Sequence, residues 1–134
     1  MISSLLYFAV GLISLSMAVK CLSSASYLPF HEQAAGKRWD EIDAGVKKVI
    51  ITLLRLTGMG FLITSILLIL SPAVIYFSQV SYIKFLMPAI ALAFFSGLGY
   101  FNYLLNRNSG AETPWKESFY AVVLIATGMI FSIF

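Results

Sequence analysis

Charge is scarce in this chain. Only 11% of its 134 residues are Asp, Glu, Lys or Arg, while 60% are hydrophobic. A soluble domain carries about 25% charged residues. The mean hydropathy is +0.90, more apolar surface than a soluble fold of this size could bury. A bilayer is the natural solvent. Cysteine is nearly absent. Cys21 stands alone, which excludes an intrachain disulfide, and Lys20 before it argues against a lipoprotein site. Histidine is equally sparse: His31 is the only one, so one chain cannot ligate a haem from both sides. No Cys, His or carboxylate cluster has metal-ligand spacing, and neither a P-loop nor a GxGxxG turn is present. No acid lies inside an apolar run, which weakens a proton-coupled exporter. The net charge of +3 is too small and scattered for nucleic-acid binding and bears on membrane orientation instead. No catalytic residue, metal or cofactor is expected.

Four long apolar runs are present. They predict an all-α, polytopic single domain: a four-helix transmembrane bundle with spans over about 2–26, 49–70, 82–105 and 115–134. The first run resembles a signal peptide, but it lacks a positively charged n-region and is expected to be a retained span. Ser71-Pro72 is expected to stop the second run, and Pro88 to kink the third. Thr113-Pro114 reads as an N-cap followed by proline at the first helical position. Asp40 or Asp43 is expected to cap the second span. In the connection 27–48, Pro29 and Gly36 bracket a short interfacial helix.

That connection holds most of the polarity. It contains His31, four of the six acids and four of the nine basic residues, Lys37, Arg38, Lys47 and Lys48. The third connection carries Arg107 and Lys116, the second carries Lys84 alone, and the termini carry no basic side chain. The positive-inside rule therefore predicts cytoplasmic first and third connections with both termini outward. Trp39 and Trp115 then share the cytoplasmic interface. Lys48, Thr52 and Arg55 recur at four and three residues, one helical face running from the interface into the membrane. Ser96, Gly99, Asn102 and Asn106 repeat similarly on the third span. A headgroup-level pocket is expected between the second and third spans, with Arg55 and Asn102 at its floor and the first connection as its lid. The candidate ligand- or headgroup-binding residues are His31, Trp39, Lys48, Arg55, Asn102 and Asn106. Ala89, Ala93 and Gly97, with Gly60 and Thr64 and with Gly128 and Ser132, form small-residue seams for helix packing or for an oligomer.

Leu28-Pro29-Phe30-His31, Gly36-Lys37-Arg38-Trp39, Gly45, Arg55, Gly58-Met59-Gly60 and Gly110-Ala111-Glu112-Thr113-Pro114-Trp115 together resemble a group of small four-helix bacterial inner-membrane proteins. The resemblance implies the architecture and the cytoplasmic-face residues, and no reaction. The leading expectation is a bacterial inner-membrane structural or accessory module. Its partners would be membrane lipids, a second copy or another membrane protein, met through a cytoplasmic cap. The alternatives are a membrane enzyme or lipid-binding protein with an interfacial site around His31 and Arg55, and a small channel or transporter subunit.

Overall fold

The computed structural model describes residues 2–77 and 82–133, apart from the side chains of Ile83 and Lys84. Five helices account for nearly all of them: α1 (Ile2–Ser23), α2 (Pro29–Ala35), α3 (Ala44–Phe77), α4 (Ile83–Ser109) and α5 (Trp115–Phe131). A 3₁₀ turn over Trp39–Glu41 joins α2 to α3. Three helices, α1, α3 and α4, are long and apolar enough to cross a membrane. The chain is accordingly a helical membrane protein. At 17 residues, α5 is about 25 Å long, slightly under the ~30 Å hydrocarbon core. The expected fourth span ran to Phe134, which lies outside the described residues, as do residues 78–81 of the second connection and the side chain of Lys84.

The sequence signals at α2 are realised locally. Pro29 occupies the first turn, and Gly36 ends the helix in the left-handed region at φ 62°, where its N–H bonds Glu32 O at 3.0 Å. Asp43, not Asp40, caps α3: its Oδ1 accepts from Gly45 N–H at 2.7 Å. Several boundaries differ from expectation. α1 ends at Ser23 and α3 begins at Ala44, rather than near Ser26 and Val49. Pro72 lies inside α3, which continues to Phe77. With no water in a bilayer to satisfy freed backbone groups, staying helical costs less than ending the helix there. At α5 the helix begins at Trp115, where the fourth span was expected to begin, but its N-cap is Pro114 rather than Thr113. The Pro114 carbonyl, which lies 3.4 Å from Ser118 N, accepts the first helical bond. Thr113 turns away from α5 and donates its hydroxyl to Asn102 O at 2.7 Å. Finally, α4 runs four residues past Leu105 to Ser109, where Gly110 caps it with a bond to Asn106 O.

The long helices form a ring in which α1 packs on α3 and α5, and α4 packs on α3 and α5. Neighbours run antiparallel. Gly11 faces Leu68 and Ile69 while Gly58 faces Cys21 and Leu22, and Gly128 lies against the Tyr7 ring. Unlike a soluble bundle, this one is apolar outside as well as inside, and its apolar core of Tyr7, Leu54, Phe61, Leu68 and Ile125 includes small hydroxyl residues. Ser14, Thr64, Ser65 and Ser71 are buried, whereas Leu5, Leu12, Leu53, Leu56 and Phe119 are exposed. The helices are held together by close packing and interhelical hydrogen bonds, since lipid is as apolar as the interior. One such bond is Ser14 Oγ to Phe61 O at 2.8 Å.

Glycine sets how closely α1 and α3 approach. A Cβ on Gly58 would lie 2.9 Å from Leu22 Cγ and 3.0 Å from Cys21 Cβ, both close to the α1 backbone. Gly58→Ala is therefore expected to destabilise the bundle by about 1–3 kcal/mol through overpacking, despite alanine's better helix propensity. Gly97→Ala is the control, because a Cβ there meets nothing within 4 Å. Thermal unfolding in detergent should show a lowered midpoint for the first variant and none for the second.

Candidate functional site

Below the first connection the ring does not close. A cavity of about 630 Å³ lies among all four long helices and under α2, within the ~300–1,000 Å³ of small-molecule sites. Its walls are mostly apolar. They include Met17 and Cys21 of α1, Leu53, Leu54 and Thr57 of α3, Leu98 and Asn102 of α4, and Ser118 of α5. The floor is aromatic. Phe61 stacks edge-on against Phe94 (5.3 Å between centroids) and Phe95 (6.1 Å), so α3 and α4 close at this level. Phe61 and Phe95 line the cavity and are buried.

The roof is α2 with the residues leading into it: Tyr27, Leu28, Phe30, His31, Ala34 and Ala35. Tyr27 donates its hydroxyl to Lys37 O and packs edge-on against Trp39 at 4.9 Å. Lys47 Nζ sits 5.7 Å from the Trp39 ring, a cation–π distance. The roof also reaches the third connection, where Gln33 Oε1 accepts from Glu112 N–H at 3.1 Å.

His31 has two roles in this geometry. Its Nδ1 accepts from Leu28 N–H at 3.2 Å, capping the first turn of α2. An accepting Nδ1 places the proton of the neutral ring on Nε2, and His31 lines the cavity. Burial holds the imidazole below its ordinary value of 6.5. The fold thus favours the neutral ring, so the unfolded chain binds the extra proton first. The stability from the cap is complete above about pH 6.5 and is lost as pH falls through the lowered value. Amide exchange over residues 28–35, corrected for intrinsic rate, should quicken several-fold between pH 7 and pH 5. His31→Asn, which offers a cap acceptor without a titrating ring, should abolish that dependence.

Of the six residues expected at the site, His31 and Asn102 line the cavity. Trp39 stands behind the roof and supports it through Tyr27. Asn106 is turned to the connection between α4 and α5: its Nδ2 donates to Ala111 O at 2.7 Å. Lys48 and Arg55 do not line the cavity, and both are exposed with Thr52 on the outer face of α3. The adjacent Leu54 is buried and does line it. Tyr27, Thr57 and Glu117 complete the site. Glu117 carried the clearest sequence signal, as one of two acids outside the first connection. The Glu117 carboxylate and the Asn102 carboxamide have no hydrogen-bond partner among the described residues. Likewise, among the described residues no group of three His, Cys, Asp or Glu could hold a metal ion. Comparison with protein-family models, curated proteins and solved structures finds no match.

Proposed function

We propose that the chain is a four-span inner-membrane protein that binds an amphipathic, lipid-like molecule in the cavity beneath α2. The cavity carries this reading. It is large and apolar in its body, and His31, Tyr27, Asn102 and Glu117 line it from α2 and from the ends of α4 and α5 beside the third connection, while Ser14 at the floor spends its hydroxyl on Phe61 O. A chain-bearing molecule would keep its apolar part among Leu53, Leu54, Leu98 and Phe61 and its head near His31 and Asn102. Arg55 takes no part in that site. It extends its guanidinium along the outer face of α3 toward headgroups, as long basic side chains do near helix ends. The charged first and third connections lie at one end of the bundle, joined by the Gln33–Glu112 bond. This supports a cytoplasmic roof with both termini outward. Native mass spectrometry from detergent tests the reading. A saturating adduct of one molecule per chain, lost when the cavity is filled by substitution, is expected. A chain that remains bare in the presence of excess lipid would refute it.

One observation favours a second reading, an oligomer-forming accessory module. Ala89 and Ala93 are exposed on α4, and the space beside Gly97 is open. The other seams are used within the chain, with Gly60 against Phe94 and Gly128 against Tyr7. A detergent-corrected mass equal to one chain would eliminate this reading.

A further inference from the structure

We infer that the cavity selects an amphiphile with an uncharged, hydrogen-bonding head, such as a long-chain alcohol or carbonyl compound, and rejects anionic lipids. This rests on the binding reading above and narrows it to a ligand class.

Charge is the first argument. Among the described residues the lining contains no lysine and no arginine, and its one acid is Glu117. The basic residues of the roof face elsewhere. Lys37 and Arg38 line a separate polar hollow on the outer side of α2, with Glu32 and Glu41. Lys48 and Arg55 lie outside the bundle. A phosphate, sulfate or carboxylate head would enter a low-dielectric site with no counter-charge and with an acid at its mouth. Such burial is costly.

The polar inventory is the second argument. His31 offers one N–H at Nε2, because Nδ1 is already used on Leu28. The Asn102 carboxamide offers both a donor and an acceptor, and its own backbone carbonyl is occupied by Thr113. Together they suit a hydroxyl, which accepts one bond and donates another, or a carbonyl, which accepts only. Glu117 is exposed, so water screens its attraction for a cationic head. A cation should therefore rank between the neutral head and the anion.

Competition against tritiated hexadecanol in phosphatidylcholine nanodiscs provides the test. The competitors are hexadecanol, hexadecyltrimethylammonium and hexadecyl sulfate, all with the same chain. Hexadecanol is expected to compete at least 10-fold better than the sulfate, with the cation between them. Glu117→Lys should shrink the gap to the sulfate, and Asn102→Leu should weaken hexadecanol severalfold with the roof still protected from amide exchange. Sulfate competing as well as the alcohol would overturn the selectivity while leaving the cavity a binding site. No saturable binding of tritiated hexadecanol, with an adduct still seen by mass spectrometry, would overturn the ligand class. Absence of both would overturn the binding reading itself.

Discussion

Replacing Phe61 with alanine is expected to cost about 3–5 kcal/mol of stability, the usual range for removing a buried aromatic. Phe61 is 5% exposed and is the point where three helices meet. Its ring stacks on Phe94 and Phe95 of α4, and its carbonyl accepts the hydroxyl of Ser14 from α1. The backbone bond survives the substitution, but the ring contacts do not. In lipid, where packing rather than the hydrophobic effect joins helices, lost contacts are not replaced by collapse onto a neighbour. Because Phe61 is also the cavity floor, the variant should join the cavity to the void left by the ring. Denaturant unfolding in mixed micelles measures the first effect. An unchanged unfolding midpoint would mean that Phe61 is not the closure between α3 and α4.

Filling the cavity should have the opposite pattern, a large loss of binding with little loss of stability. Thr57 is half-buried on the cavity wall, and its hydroxyl is satisfied by Leu53 O of its own helix at 3.0 Å. No interhelical bond is lost with it. Thr57→Trp places a large rigid ring into existing space, so little overpacking is expected. Ala34→Trp fills the same volume from the roof, since Ala34 lines the cavity and is half-buried on α2. Each variant should reduce hexadecanol affinity by at least 10-fold, while helicity and unfolding midpoint stay near those of the parent. Two variants on different walls distinguish occlusion from local damage. A retained affinity in both would place the ligand elsewhere.

The helices were legible because long apolar runs and proline or glycine punctuation are local signals. Pro29 and Gly36 delimit α2 to the residue, since each acts on its own backbone. Pro72 misleads for the complementary reason: its effect depends on the solvent, and a bilayer rewards continuing the helix. Arg55 shows the limit of periodicity in membranes. The spacing of Lys48, Thr52 and Arg55 establishes that they share a face. It cannot say which face, because inward and lipid-facing surfaces are both apolar. The inward face of α3 is marked instead by small and hydroxyl residues, Gly58, Thr64, Ser65 and Ser71, all buried. Tyr27, Thr57, Asn102 and Glu117 come from four separate parts of the chain, so the cavity they share depends on packing and leaves no local pattern.

A binding site beneath α2 and a mere packing defect differ in one respect: only the site saturates. Equilibrium binding of tritiated hexadecanol to the purified chain in nanodiscs, compared with Thr57→Trp under the same conditions, separates them. Saturation at one molecule per chain is expected for the parent, with no saturable component for the variant. Equal, non-saturating uptake by both would show that the space is a packing defect.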